Sequence, residues 1–222
     1  MQRLRVKFSR GEEIKFISHL DLMRCWERAL RRAEIPLAYS EGFSPHPRIA
    51  LASPLALGVT SEAELMDIVL TRWVSPHWFT AGVSRQLPAG IAILGVVPVA
   101  MTLPSLQSAI RSAEYRVGLD AVMGKDAIEG AVENLLSLEE LPWHHKRDTG
   151  DRRYDLRALV EDVWVIEWPL ASSKEESSAK GVLGMTLRCD SSGSGRPEQV
   201  ALALGITESP RSVHRTKLVL QV

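Results

Sequence analysis

Two groups of residues near the N-terminus have the types and spacing for chemistry. His46 lies between two prolines in the run Tyr39-Ser40-Glu41-Gly42-Phe43-Ser44-Pro45-His46-Pro47-Arg48. The prolines restrict the backbone around an imidazole that exchanges a proton near neutral pH. Ser18, His19 and Asp21 form the second group. Ser18 and Asp21 have capping-box spacing, with Asp in place of the usual Glu, which sets a helix start at His19. A helix N-terminus offers unpaired N–H groups and a partial positive charge, suited to phosphate or carboxylate. Arg24, Arg28, Arg31 and Arg32 follow as a positive ridge, and guanidinium groups pair well with phosphate. A loop folded back over the helix start would let Arg24 and Arg48 reach one anion. It would also let His19, Asp21, Glu41 and His46 converge on a metal, although no HxxxH-type spacing supports one. Each feature has an ordinary competitor: a hydrogen-bonded helix-end residue at His19, dipole stabilisation by Asp21, a structural loop residue at His46, and a solvated arginine face partly neutralised by Glu27 and Glu34. The candidate binding surface is Ser18, His19, Asp21, Arg24, Arg28, Tyr39, Ser40, Glu41, Gly42, Phe43, Ser44, His46 and Arg48, with His46 the catalytic candidate and no metal set assigned.

The elements that must carry these residues follow from periodicity. Gln2 to Phe8 alternates, with Leu4, Val6 and Phe8 on one side and Arg3, Arg5 and Lys7 on the other, a half-buried strand with a basic outer face. Leu22, Trp26, Ala29 and Ala33 fall on one helical face, and Pro36 is expected to stop that helix. Short strands over Arg48–Ala52 and Glu62–Thr71, a helix over His77–Leu87 opened by Ser75-Pro76, and a continuous apolar strand over Ile91–Ala100 complete a β-α-β-β-α-β order. After a connector over Pro104–Ile110 the order recurs: a strand at Arg111–Asp120, a helix at Lys125–Leu136, strands at Tyr154–Leu159, Val163–Trp168 and Val182–Cys189, a helix opened by Arg196-Pro197, and a strand at Val213–Leu220. A broken region begins at Pro142-Trp143, the basic cluster His144 to Arg147 reads as surface loop, and Ser172 to Lys180 reads as a solvated loop. The fold class expected is α+β, two tandem ferredoxin-like domains with antiparallel sheets over residues 1–100 and 111–222. The two halves share no residue-by-residue match.

Composition bounds the function. Of 222 residues, 45% are hydrophobic, and Lys+Arg and Asp+Glu both count 27, so the chain as a whole is not a polycationic nucleic-acid binder. The first fifty residues hold ten basic and six acidic side chains, +4, which leaves −4 on the remainder. A local positive surface is therefore expected. Cys25 and Cys189 are far apart, read as reduced thiols of a cytoplasmic protein. No CxxC or CxxxCxxC is present, so the chain supplies no cysteine set for zinc or an iron–sulfur cluster. No apolar stretch approaches the roughly 20 residues of a membrane span, and no signal peptide is read at the start. Trp143, Trp164 and Trp168 read as packing residues, because the paired strand aromatics of an RNA-recognition motif are absent.

The stretch KFISHLDLMRCWERALRRAEIPLAYSEGFSPHPRIALASPLALGVTSEAELMDIVL resembles the radical SAM-linked protein family, carried by Ser18-His19-Leu20-Asp21, Tyr39 to Phe43, and Ser44 to Arg48. The resemblance covers residues 1–100. It implies an accessory role beside a radical SAM enzyme, with the partner holding the iron–sulfur cluster and S-adenosylmethionine and this chain holding no cofactor. The architecture also resembles that of CRISPR repeat-processing endoribonucleases, but without a matching motif, so no catalytic residue is carried over. Two functions stay open: a non-catalytic module that binds RNA or a partner protein, and an RNA-processing enzyme using His46. A membrane partner is not expected.

Overall fold

The computed structural model describes residues 1–147, 150–169, 180–190 and 192–221. Residues 172–179 of the expected solvated loop lie outside them. The chain divides into two compact units, one of residues 1–110 joined by Leu220 and Gln221, the other Arg111–Val219. Both are α+β with antiparallel strand pairing.

In the first unit, β1 (Gln2–Arg10), α1 (His19–Arg32), β2 (Ile49–Leu51), β3 (Thr60–Leu70), α2 (Pro76–Ser84) and β4 (Ile91–Val99) follow in order, with a single-turn α3 (Leu106–Ala109) beyond. The strands lie side by side as β2-β3-β1-β4, each neighbouring pair antiparallel. Alternation places Leu4, Val6 and Phe8 under the helices, where they are fully buried with Trp26, Leu30, Ile68, Phe79 and Val83. Phe8 and Trp26 meet edge to face at 5.0 Å. Arg3 and Arg5 point to the opposite face, as the alternation requires.

One expectation needs correction. Pro36 does not end α1. The helix stops at Arg32 because Glu34 turns to φ 54°, and Ile35 N–H and Glu34 N–H then donate to the carbonyls of Leu30 and Arg31 at 3.0 and 3.1 Å. That is a Schellman closure with Glu at the position glycine usually fills, and buried Ile35 supplies its apolar contact. The apolar run at 91–99 is a strand, as expected, and lies at the sheet edge. Paired with β1, it carries Pro98, and Leu94 and Val97 are half exposed, which suits a sheet edge.

The second unit contains β5 (Ile110–Asp120), α4 (Lys125–Ser137), β6 (Pro142–Arg147), β7 (Gly150–Asp155), β8 (Val160–Glu167), β9 (Lys180–Asp190), β10 (Gly193–Ser194), α5 (Pro197–Ala203) and β11 (Ser212–Leu220). β8 and β10 pair with β9, β9 with β5, and β11 lies beside β5. Where loop was expected at residues 144–147, β6 and β7 form a separate two-stranded hairpin. Trp164 lies over Gly184 and Trp168 over Gly181. A Cβ added at either glycine would fall 2.1 or 2.2 Å from an indole carbon. The two tryptophans thus pack on the sheet, Trp168 buried with its N–H donating to Met123 O at 2.8 Å. No helix among the described residues is long and apolar enough to cross a membrane.

Candidate functional site

The first group of predicted residues caps α1. Ser18 Oγ accepts from Asp21 N–H at 3.1 Å and donates to Asp21 Oδ2 at 2.7 Å, and Arg24 Nη1 donates to Asp21 Oδ1 at 3.2 Å. The Ser18 hydroxyl is the main cause of a lowered Asp21 pKa; desolvation opposes it, and Arg24 and Arg28 lower it further. Ser18 and Asp21 thus satisfy one another, and His19, Arg24 and Arg28 stand exposed on the surface. Burial raises the Cys25 pKa, opposed by Arg28 and Arg32, so the thiol carries no reactive thiolate.

The second group forms a hairpin instead of an irregular loop. Tyr39 bridges Pro47, Ser40 N–H donates to His46 O at 2.9 Å, and His46 N–H donates back to Ser40 Oγ at 3.0 Å. Arg48 N–H donates to Ala38 O, and Arg48 O accepts from Val69 N–H, so the hairpin is anchored on β3. Glu41, Gly42, Phe43 and Ser44 make the tip. Gly42 has φ 120°, and the Phe43 ring is fully exposed. The His46 ring has no hydrogen bond or ion pair among the described residues.

The two groups do not meet. Arg10, at the far end of β1, donates to Ile17 O at 2.6 Å and so holds the chain leading into Ser18. The hairpin joins β3 at Val69, and Val69 faces Arg3 at the start of β1. From Arg3 to Arg10 is seven strand steps, roughly 23 Å. The expected joint surface fails because α1 runs back antiparallel to β1, which returns the chain to the end where β1 began. Arg24 and Arg48 cannot share an anion, and His19 and Asp21 cannot share a metal with Glu41 and His46. Among the described residues no three His, Cys, Asp or Glu side chains are grouped to hold a metal ion.

Arg48 instead reaches a cluster that the sequence reading left out. On the sheet face away from the helices, Arg48, Val69, Arg3 and Val99 form one cross-strand row, and Ala50, Asp67, Arg5 and Val97 the next. Arg3 Nε and Arg5 Nε donate to the two oxygens of Asp67, each at 2.8 Å, and Arg5 Nη2 adds a bond at 3.0 Å. Arg3 also donates to Leu103 O and Pro104 O, both at 2.9 Å, pinning the connector over this face. A cavity of about 320 Å³ opens beside the cluster, lined by Arg3, Arg48, Asp67, Ser105 and Gln107 over apolar Ile49, Ala50, Val69, Met101 and Leu106. Its signal in the sequence is Asp67, the single acid inside the apolar run from Leu65 to Leu70, opposite the alternating arginines. A larger concavity, about 620 Å³, lies in the second unit against Trp143 and Tyr154. There Asp155 already accepts from two backbone N–H groups, and Tyr154 donates to Gln199. Each cavity is lined by an arginine with no side-chain hydrogen bond or ion pair among the described residues, Arg48 in the smaller and Arg153 in the larger; the smaller also borders the buried Arg3–Asp67–Arg5 cluster and is the stronger candidate.

A family model described as "Uncharacterized protein conserved in bacteria" (DUF2344) matches residues 3–197. The chain belongs to the DUF2344 family. That description names no reaction for DUF2344. No curated protein matches the chain. Among solved structures, this DUF2344 chain is similar to a chain of a Cbf5–Nop10–Gar1 complex, at TM-score 0.53 and 10% identity, covering 97% of this chain and 48% of that one. It also matches a chain of the archaeal box H/ACA sRNP Nop10–Cbf5 complex, at TM-score 0.48 and 10% identity with the same coverage. The DUF2344 chain spans about half the length of these solved chains, and the first likeness supports an α+β fold.

Proposed function

We propose that this DUF2344 chain is a non-catalytic accessory module that binds single-stranded RNA through its first unit and works beside a radical SAM enzyme, each unit being ferredoxin-like. The observation that carries the RNA reading is the hairpin. It holds a fully exposed Phe43 ring on a backbone-tied scaffold, with the Arg48 guanidinium at its base lacking any hydrogen bond or ion pair among the described residues. An aromatic ring for base stacking beside a cation for phosphate is how proteins hold single-stranded RNA. The strand order β2-β3-β1-β4 supports the ferredoxin-like reading. The radical SAM link rests on the resemblance of the Lys15–Leu70 stretch.

The test measures binding and cleavage together. Labelled RNA should bind by fluorescence anisotropy without producing fragments on a gel. Phe43→Ala should weaken binding by about 5- to 150-fold, the effect of about 1–3 kcal/mol per stacked base. Absence of binding at low salt sinks the reading. Fragments that disappear in His46→Ala would replace it with an RNA-processing enzyme.

A further inference from the structure

The charges around the cavity do not balance. Arg3 and Arg5 are 9% and 16% exposed, yet the two cations share one carboxylate, Asp67, itself 4% exposed. Covered charges are costly unless paired, and here one positive charge is left over beneath the surface. Arg48 adds another at the cavity mouth. Three guanidinium groups against one carboxylate leave +2. Ala50, opposite Asp67, is the smallest side chain of its row and lines the cavity, so a larger one there would narrow the space.

We propose that this cavity receives a phosphate monoester, the phosphorylated end of an RNA or a free mononucleotide. The proposal rests on the RNA-binding reading and names the part of the ligand recognised. A monoester carries close to two negative charges at pH 7, which matches the excess, whereas an internal phosphodiester or a carboxylate carries one. Arginine pairs with phosphate oxygens through parallel N–H donors, and the Arg48 fork has no hydrogen bond or ion pair among the described residues. The apolar floor of Ile49, Val69, Met101 and Leu106 suits the sugar and base that accompany the phosphate, and Gln107 supplies an amide at the rim.

The experiment compares one RNA octamer bearing hydroxyl ends, a 5′-phosphate or a 3′-phosphate. It is run on the full chain, on Ala50→Leu, which narrows the cavity, and on Arg48→Gln, an exposed change that leaves the core untouched. Adenosine monophosphate and inorganic phosphate are titrated in parallel by thermal shift. In the wild-type chain one phosphorylated octamer should bind at least tenfold tighter than the hydroxyl-ended one. That ratio should fall to near one in both variants. Equal binding of all three octamers, with no thermal shift, overturns the proposal and leaves RNA binding standing. A thermal shift with adenosine monophosphate that is lost in Arg48→Gln, with no octamer bound, keeps the monoester site and removes the RNA reading. If neither octamer nor mononucleotide binds, both fall. Should Ala50→Leu not fold, the ratio measured in Arg48→Gln decides.

Discussion

Glu34 shows how a single residue can hold a conformation its side chain disfavours. At φ 54° the Cβ crowds the backbone, at a cost of roughly 1–2 kcal/mol relative to glycine. Leu30, Arg31 and Ile35 hold it there through the two closing hydrogen bonds. Glu34→Gly should therefore stabilise the first unit, by about 0.5–1 kcal/mol after the greater freedom of glycine in the unfolded chain is subtracted. A lower denaturation midpoint would show that Glu34 contributes a contact outweighing its strain. At this scale the sequence was only partly legible. Ser18 announced the start of α1 because its hydroxyl is the capping group. The end of α1 was unreadable because a glutamate carries no signal for the left-handed region, whereas Pro36 nearby carries a strong stop signal. Arg48 was legible as the residue that closes the hairpin, but its neighbours Arg3 and Asp67 are distant in sequence, joined only by strand register.

Among the elements, β8 and β9 make the most specific fit. Trp164 and Trp168 occupy the space that side chains at Gly184 and Gly181 would need. Gly184→Ala should displace the Trp164 ring and cost about 1–3 kcal/mol, the usual penalty for overpacking. Gly130→Ala, inside α4 with nothing within 4 Å of the new methyl, should instead stabilise by about 0.5–1 kcal/mol. Opposite signs in thermal melts of the two variants are expected, and a stable Gly184→Ala protein would refute the packing argument. Most elements could be placed from alternation and helical spacing, since both patterns report directly which side is buried. The β6–β7 hairpin could not. Its pairs include His144 with Arg153 and Lys146 with Asp151, so no apolar alternation marks it as strand. The exposure of β4 was equally hidden, because an apolar run states hydrophobicity and not whether a neighbour covers it.

For the whole molecule, a net charge of zero limits what electrostatics can contribute. If RNA is held at the hairpin and cavity, about two to four phosphates are neutralised, so log K against log salt should have a slope of roughly −1.5 to −3. A slope near −7 in a salt titration would mean about ten neutralised phosphates, far more than the hairpin and cavity can contact. The order of elements was readable from the sequence, yet the expected meeting of α1 with the hairpin was wrong, because order alone does not say which end of a sheet a helix returns to. Direction does, and direction follows from the antiparallel course of α1 over β1. One consequence of the Arg3 contacts concerns time. β1 leaves a ribosome before the strands it pairs with, but it is central: β3 and β4 flank it, and Arg3 finds its last acceptors at Leu103 and Pro104. The chain from Arg3 to Pro104 must be synthesised before β1 has its full set of partners, so until then its apolar face needs shelter from other nascent chains.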